Sequence, residues 1–166
     1  PNSAAEILNS LASNDLFNIM GVITQPDKRG KRGSKLIESP VSLIANSHKL
    51  KTYKPHKLSK EEIHSDLDIT SADVLLVVAY GKLIPAWVLE SKIKAINIHY
   101  SLLPNYRGAS PIQSSLLNND KKTGITFMQM SKELDAGKII KCFEIPINKN
   151  DNKSSLEKKL TELSIL

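Results

Sequence analysis

Ala95-Ile96-Asn97-Ile98-His99-Tyr100-Ser101-Leu102-Leu103-Pro104-Asn105-Tyr106-Arg107-Gly108 is the segment on which the rest of the chain is organised. It begins with the alternation of a strand, and a cluster of Ser, Pro and Gly then turns the chain into a loop. In an open α/β sheet the carboxyl ends of the strands are where ligands sit, and this loop starts at such an end. Residues two apart on a strand share a side, so Asn97 and His99 present an amide and an imidazole to one space. The pairing suits acyl chemistry. An amide can donate to an oxyanion, and an imidazole can move a proton near neutral pH. Asp135, in Leu134-Asp135-Ala136-Gly137, supplies from a second loop a carboxylate able to order the imidazole and stabilise its charged form.

Upstream, Asp73 to Ala79 is almost continuously apolar, as expected of a parallel strand covered on both faces. It runs into Tyr80-Gly81-Lys82-Leu83-Ile84-Pro85, a second loop on the ligand edge. A short edge strand is expected around Lys51 to Lys54, broken by Pro55, and Ser59 with Glu62 marks a capping box for a helix. Ser39 as cap and Pro40 at the first helical position open another helix, which has Val41, Leu43 and Ile44 as apolar contacts and ends near Ser47 to Lys49. Ile19 to Thr24 reads as a buried strand stopped by Gln25-Pro26-Asp27. Pro1 to Asn14 reads as a helix with Ser3 at the cap, Glu6 three residues on, and Ile7, Leu8 and Leu11 on one face. A doubly wound sheet needs a strand before that helix for a right-handed crossover, so the expectation is that the first strand is missing.

Downstream, Ser110-Pro111 repeats the cap-then-proline start and leads a helix through about Leu117, ended by Asn118-Asn119-Asp120. Gly124 to Met130 and Lys138 to Ile147 read as two strands joined by the loop that carries Asp135. Ser154 with Glu157 caps a last helix whose face carries Leu156, Leu160 and Leu163. The alternation of elements predicts an α/β fold, Rossmann-like, with a mostly parallel sheet and helices on both faces.

The 166 residues are one domain's worth of chain, with an ordinary 40% hydrophobic and 24% charged content. There is no run of 18 apolar residues and no secretory leader, which argues against membrane and secretory classes. The single cysteine, Cys142, fits a reducing cytoplasm and reads as a half-buried strand residue. With one cysteine and with His48, His56 and His64 scattered through polar segments, no metal is expected. Gly30 and Gly33 make neither a dinucleotide nor a nucleoside triphosphate fingerprint. The net charge of +6 and a pI near 9.4 favour polyanionic partners. Five cations, Lys28, Arg29, Lys31, Arg32 and Lys35, fall between Asp27 and Leu36 with two glycines among them. Such a loop is either a solvated face or a phosphate grip that reads no bases.

The composite N-I-H-x-S-L-L-P, then x-Y-R-G-A-x-P-I-Q, T-G-I-T-F-M-Q-M and L-D-A-G-K-I-I, resembles the formyltransferases that use 10-formyltetrahydrofolate. The likeness runs from about Ala4 to about Leu163 and is most specific between Asn97 and Gly137. It implies that Asn97, His99 and Asp135 are catalytic, and that the Ser101, Leu102, Leu103 and Pro104 turn lines the folate pocket. It further implies that Tyr80, Gly81, Lys82, Leu83, Ile84 and Met130 flank the pterin ring. Tyr100 departs from the pattern, where glycine is common; a ring there either narrows the pocket or turns outward.

The pattern is nearest the branch that formylates methionyl initiator tRNA, in which a basic insertion follows the same strand and helps to hold the tRNA acceptor end. The resemblance therefore implies that Lys28, Arg29, Lys31, Arg32 and Lys35 contact tRNA. Arg107 either joins them or forms a loop salt bridge. The implied partners are folate and initiator methionyl-tRNA, met by a cytoplasmic monomer with no membrane contact and no metal. The branch also has a smaller C-terminal β domain that binds tRNA, so the chain is expected to be a formyltransferase catalytic domain truncated at both ends. Two other readings stand beside this one. One is a relative that passes the formyl group to glycinamide ribonucleotide, an amino sugar or water, against which the cationic loop argues; the other is an inactive RNA-binding fragment.

Overall fold

The computed structural model describes residues 1–29, 36–59, 62–63 and 67–166. The chain divides into two compact units, Pro1–Ile69 and Thr70–Leu166. In the first, α1 (Asn2–Ala12) packs against α2 (Pro40–Ser47), and β1 (Val22–Ile23) pairs in parallel with β4 (Thr52–Tyr53). Between them β2 (Lys28–Arg29) pairs antiparallel with β3 (Leu36–Ile37).

Helix α2 forms as its sequence demands: Pro40 occupies the first turn and Ser39 Oγ accepts from the Ser42 N–H at 3.0 Å. Its buried residues, however, are Ser42 and Ala45, whereas Leu43 is 56% exposed. Leu43 stands one step of about 100° round from Ser42, so the apolar contact predicted for it is not made. Helix α1 has Pro1 at its cap and no side-chain cap. Ser3, predicted as the cap, is buried inside the first turn, beside Ala4, Ala5 and Ile7. The helix predicted from Ser59 and Glu62 lies largely outside the described residues, although Glu62 N–H does donate to Ser59 Oγ at 3.3 Å.

The second unit is a four-stranded sheet in the order β5 (Val74–Val77), β6 (Lys94–His99), β7 (Lys122–Gln129), β8 (Ile139–Pro146). Its first step is parallel and its other two are antiparallel, so this sheet is mixed. The antiparallel pairing of β8 with β7 follows from the short connection between them, which cannot make the crossover that a parallel pair needs. Between β5 and β6 lies α3 (Ala86–Leu89), and α4 (Pro111–Leu117) connects β6 to β7. The last helix, α5 (Lys153–Ile165), packs on β7 and α4 and buries Leu156 and Leu160 completely.

Strand β8 is exposed along nearly its whole length, and Cys142, predicted as half-buried, is exposed there. It is the outer strand of its sheet, and the alternation that suggests a covered face does not say whether anything covers it. Val74 at the start of β5 is likewise 46% exposed, so that strand is not covered on both faces. Helix α5 is capped by Asn152, not by Ser154: Asn152 Oδ1 accepts from Ser154 N–H and Ser155 N–H at 2.9 and 3.1 Å. Among the described residues no helix is long and apolar enough to cross a membrane.

Candidate active site

Register fixes the geometry. Val77 on β5 pairs with Asn97 on β6, so the loop from Tyr80 to Ile84 leaves the sheet at the same edge as His99. On the other side β7 sets Thr126 opposite His99 and Met128 opposite Asn97. His99 is only 6% exposed at the carboxyl end of its strand.

Its ring meets two partners. Nε2 lies 2.9 Å from the Tyr106 carbonyl oxygen, and Nδ1 lies 3.7 Å from Asp135 Oδ2. The second distance is that of an ion pair and is too long for a hydrogen bond. The Asp135 side chain is 10% exposed, and its Oδ2 accepts from the Gly108 N–H at 2.8 Å. The Asn97 amide, by contrast, is half-buried and makes no hydrogen bond to a described residue, which leaves its N–H groups free to donate.

The loop between β6 and α4 is stapled from beneath. Thr126, fully buried on β7, accepts from the Leu103 N–H at 3.1 Å and donates to the Ser101 carbonyl at 2.7 Å. Ser101 Oγ donates to the Asn105 carbonyl at 2.6 Å. Ser101 and Leu103 are thus buried supports of the turn, whereas Leu102 and Pro104 carry its exposed area. Leu102 rests on Gly124, where a Cβ would come within 2.7 Å of its Cδ2. Tyr100 turns away into the unit and its hydroxyl meets Thr161 Oγ1 on α5 at 3.0 Å, so its ring does not narrow the site.

The remaining predicted residues are spread more widely. Leu83 is 84% exposed beside half-buried Tyr80, Lys82 and Ile84, and Gly81 takes a φ of +73° that suits glycine. Met130 stands apart from His99. Its N–H donates to Ala95, four residues earlier on β6 and about 13 Å away along the strand. Arg107 forms the alternative salt bridge, with Glu133 at 3.7 Å. Lys28 and Arg29 are exposed on β2, and Lys31, Arg32 and Lys35 lie outside the described residues. Among the described residues no cluster of three or more His, Cys, Asp or Glu side chains is placed to hold a metal.

Sequence reasoning passed over Tyr106, Gly108, Thr126 and Asp120. The Tyr106 hydroxyl donates to Asp120 Oδ2 at 2.7 Å and accepts from Asn118 Nδ2 at 3.2 Å. Asp120 and, less strongly, burial hold the Tyr106 phenol above its usual range, while Asn118 acts the other way. A cavity of about 450 Å³ opens between Leu102, Asn105, Tyr106, Asp120, Lys121 and Lys122, on none of the three predicted catalytic residues. The only signal for Tyr106, Gly108 and Thr126 was their place in Y-R-G and T-G-I-T, and for Asp120 its place in the helix-ending Asn118-Asn119-Asp120, none of which says anything of contact.

The chain is 44% identical over 165 residues to the methionyl-tRNA formyltransferase of Thermotoga maritima, covering 99% of this chain and 52% of that protein. It thus spans about half the length of that relative. Among solved structures it is similar to phosphoribosylglycinamide formyltransferase from Anaplasma phagocytophilum, with a TM-score of 0.80 and 26% identity over 97% of this chain and 76% of that one. The enzyme of the same name from Bacillus halodurans gives a TM-score of 0.75 and 25% identity over 99% and 84% of the two chains. The formyl transferase family model matches residues 1–165, from the first helix through the loop that brings Asp135 to His99 and on into α5, and the chain therefore belongs to the formyl transferase family.

Proposed function

We propose that the protein transfers the formyl group of 10-formyltetrahydrofolate to the α-amine of methionyl initiator tRNA, in the cytoplasm and as a monomer, with this chain as its catalytic domain. The observation that carries this reading is the meeting of His99 and Asp135, at 3.7 Å, on the side of the strand where the Asn97 amide makes no hydrogen bond to a described residue. The folate supplies an activated formyl carbon. The amine's lone pair attacks that carbon, the bond to the folate nitrogen breaks, and one proton passes from the amine to that nitrogen, so atoms balance.

This chain's residues act around that exchange. Asn97 donates to the formyl oxygen as negative charge develops there. His99 moves the proton or stabilises the charge, and Asp135 orients the ring. Leu83, 84% exposed at the same sheet edge, offers an apolar surface to an aromatic ring, which fits a pterin. The acceptor is read from two features: the name of the Thermotoga maritima relative, and the cations from Lys28 to Lys35, which a small acceptor does not need.

The test is steady-state formyl transfer with methionyl-tRNA, glycinamide ribonucleotide, an amino sugar and water as competing acceptors. Transfer to methionyl-tRNA is expected to dominate, and Asp135→Asn is expected to lower kcat about 100-fold with little change in the folate KM. Preference for any other acceptor overturns the tRNA reading. Wild-type turnover in both His99→Ala and Asp135→Ala overturns the catalytic assignment.

A further inference from the structure

Two residues at the site hold backbone conformations that non-glycine side chains rarely adopt: Tyr106 has a φ of +56° and Asp135 one of +48°. Both touch His99, one with its carbonyl and the other with its carboxylate. Such a conformation persists only where surrounding contacts impose it, and at Tyr106 the contacts are visible. Its ring hydroxyl is fixed by Asp120 Oδ2 at 2.7 Å and Asn118 Nδ2 at 3.2 Å, and Asn118 Nδ2 also donates to the Ser114 carbonyl of α4 at 3.0 Å.

A carbonyl oxygen has no proton to give, so the 2.9 Å contact requires the Nε2 of His99 to be the donor. The proton of the neutral ring is then on Nε2, and Nδ1 is the nitrogen left to face Asp135 and to gain or lose a proton. No other charged group competes for the ring among the described residues. β7 sets uncharged Thr126 opposite it, Arg107 pairs with Glu133 at 3.7 Å, and Lys122, next to the anchor, pairs with Glu144 at 2.9 Å.

We propose that Tyr106 is a positioning residue: anchored through its hydroxyl to Asp120 and Asn118, it holds its own carbonyl on His99 Nε2 and so assigns Nδ1 to proton transfer. The inference rests on the reading of His99 as the group that handles the proton, and it adds to that reading a residue that acts through the His99 ring.

The test pairs NMR of protein labelled with 15N-histidine, in which the His99 signals are identified by their loss in His99→Gln, with kinetics of Asp120→Ala and Asp120→Asn. In the parent the neutral His99 ring is expected to be protonated on Nε2 alone. Asp120→Ala is expected to give a mixture of the two neutral tautomers and to lower kcat about tenfold at an unchanged folate KM. Asp120→Asn keeps an oxygen acceptor for the hydroxyl and is expected to restore the parent's ring signals and turnover. Parent-like ring signals in Asp120→Ala overturn the proposal whether or not kcat falls, as does a tautomer mixture with unchanged kcat. Full turnover in His99→Ala instead refutes the catalytic reading of the site, while the ring signals still report where the proton resides.

Discussion

Gly137 shows how little room the site leaves. A Cβ there would overlap the carbonyl oxygen of Gln129 and stand 3.3 Å from Met128 Cε, and a backbone oxygen on β7 cannot step aside as a side chain can. Gly137→Ala is therefore expected to lose about 3 kcal/mol of stability in urea unfolding, and to weaken turnover because Asp135 lies two residues away. The same close approach explains why glycine follows the aspartate in L-D-A-G, a reason that the motif alone does not state. The roles proposed for Asn97, His99 and Asp135 were suggested by the sequence because each residue type has few chemical uses in such a motif. Tyr106 was not, because it acts through its carbonyl, and every residue has one.

At the level of elements, the caps separate what spacing suggests from what the chain does. Asn152 caps α5, with its side chain accepting from two N–H groups and Ser155 Oγ accepting from the Asn152 N–H at 3.0 Å. Asn152→Ala is expected to cost about 1 kcal/mol in thermal or urea unfolding, and Ser154→Ala less than about 0.5 kcal/mol. Beside that cap, Asp151 is held below the usual carboxylate range first by Lys159, at 2.8 and 2.7 Å, and then by the Asn148 N–H at 2.8 Å. Burial acts in the opposite direction and the Ser155 hydroxyl adds to the lowering.

A folded-state value lowered in this way means that the stabilisation is complete above the ordinary value of 3.8 and is lost as the pH falls through the lower, folded one. Asp151→Asn is therefore expected to cost about 1–2 kcal/mol at neutral pH, a figure that allows for the partly exposed lysine. The gap from the parent should close in acid, as read from urea unfolding across a pH series.

Across the whole molecule, the charge of +6 becomes useful only if cations are available to phosphate. Lys28 and Arg29 are exposed on β2, whereas Lys54, beyond the same hairpin, is held by Asp27 and Glu38 at 2.8 and 2.9 Å. Burial alone would lower the Lys54 ammonium, but these two carboxylates raise it above its usual range. The double variant Lys28→Ala, Arg29→Ala is expected to raise the KM for methionyl-tRNA, leave the folate KM unchanged, and make the dependence of log affinity on log salt shallower by about 1.5.

The sequence by itself determined the α/β class, the order of most elements, and the three polar side chains proposed for catalysis, because periodicity, proline and glycine act locally and the motif residues have few chemical alternatives. Tertiary structure alone decided that the four-stranded sheet is mixed, that β8 is exposed, that Tyr100 turns to Thr161, and that Tyr106 and Asp135 converge on His99. Each of these depends on groups far apart in the chain competing for the same space and the same protons, and no local pattern records which of them wins.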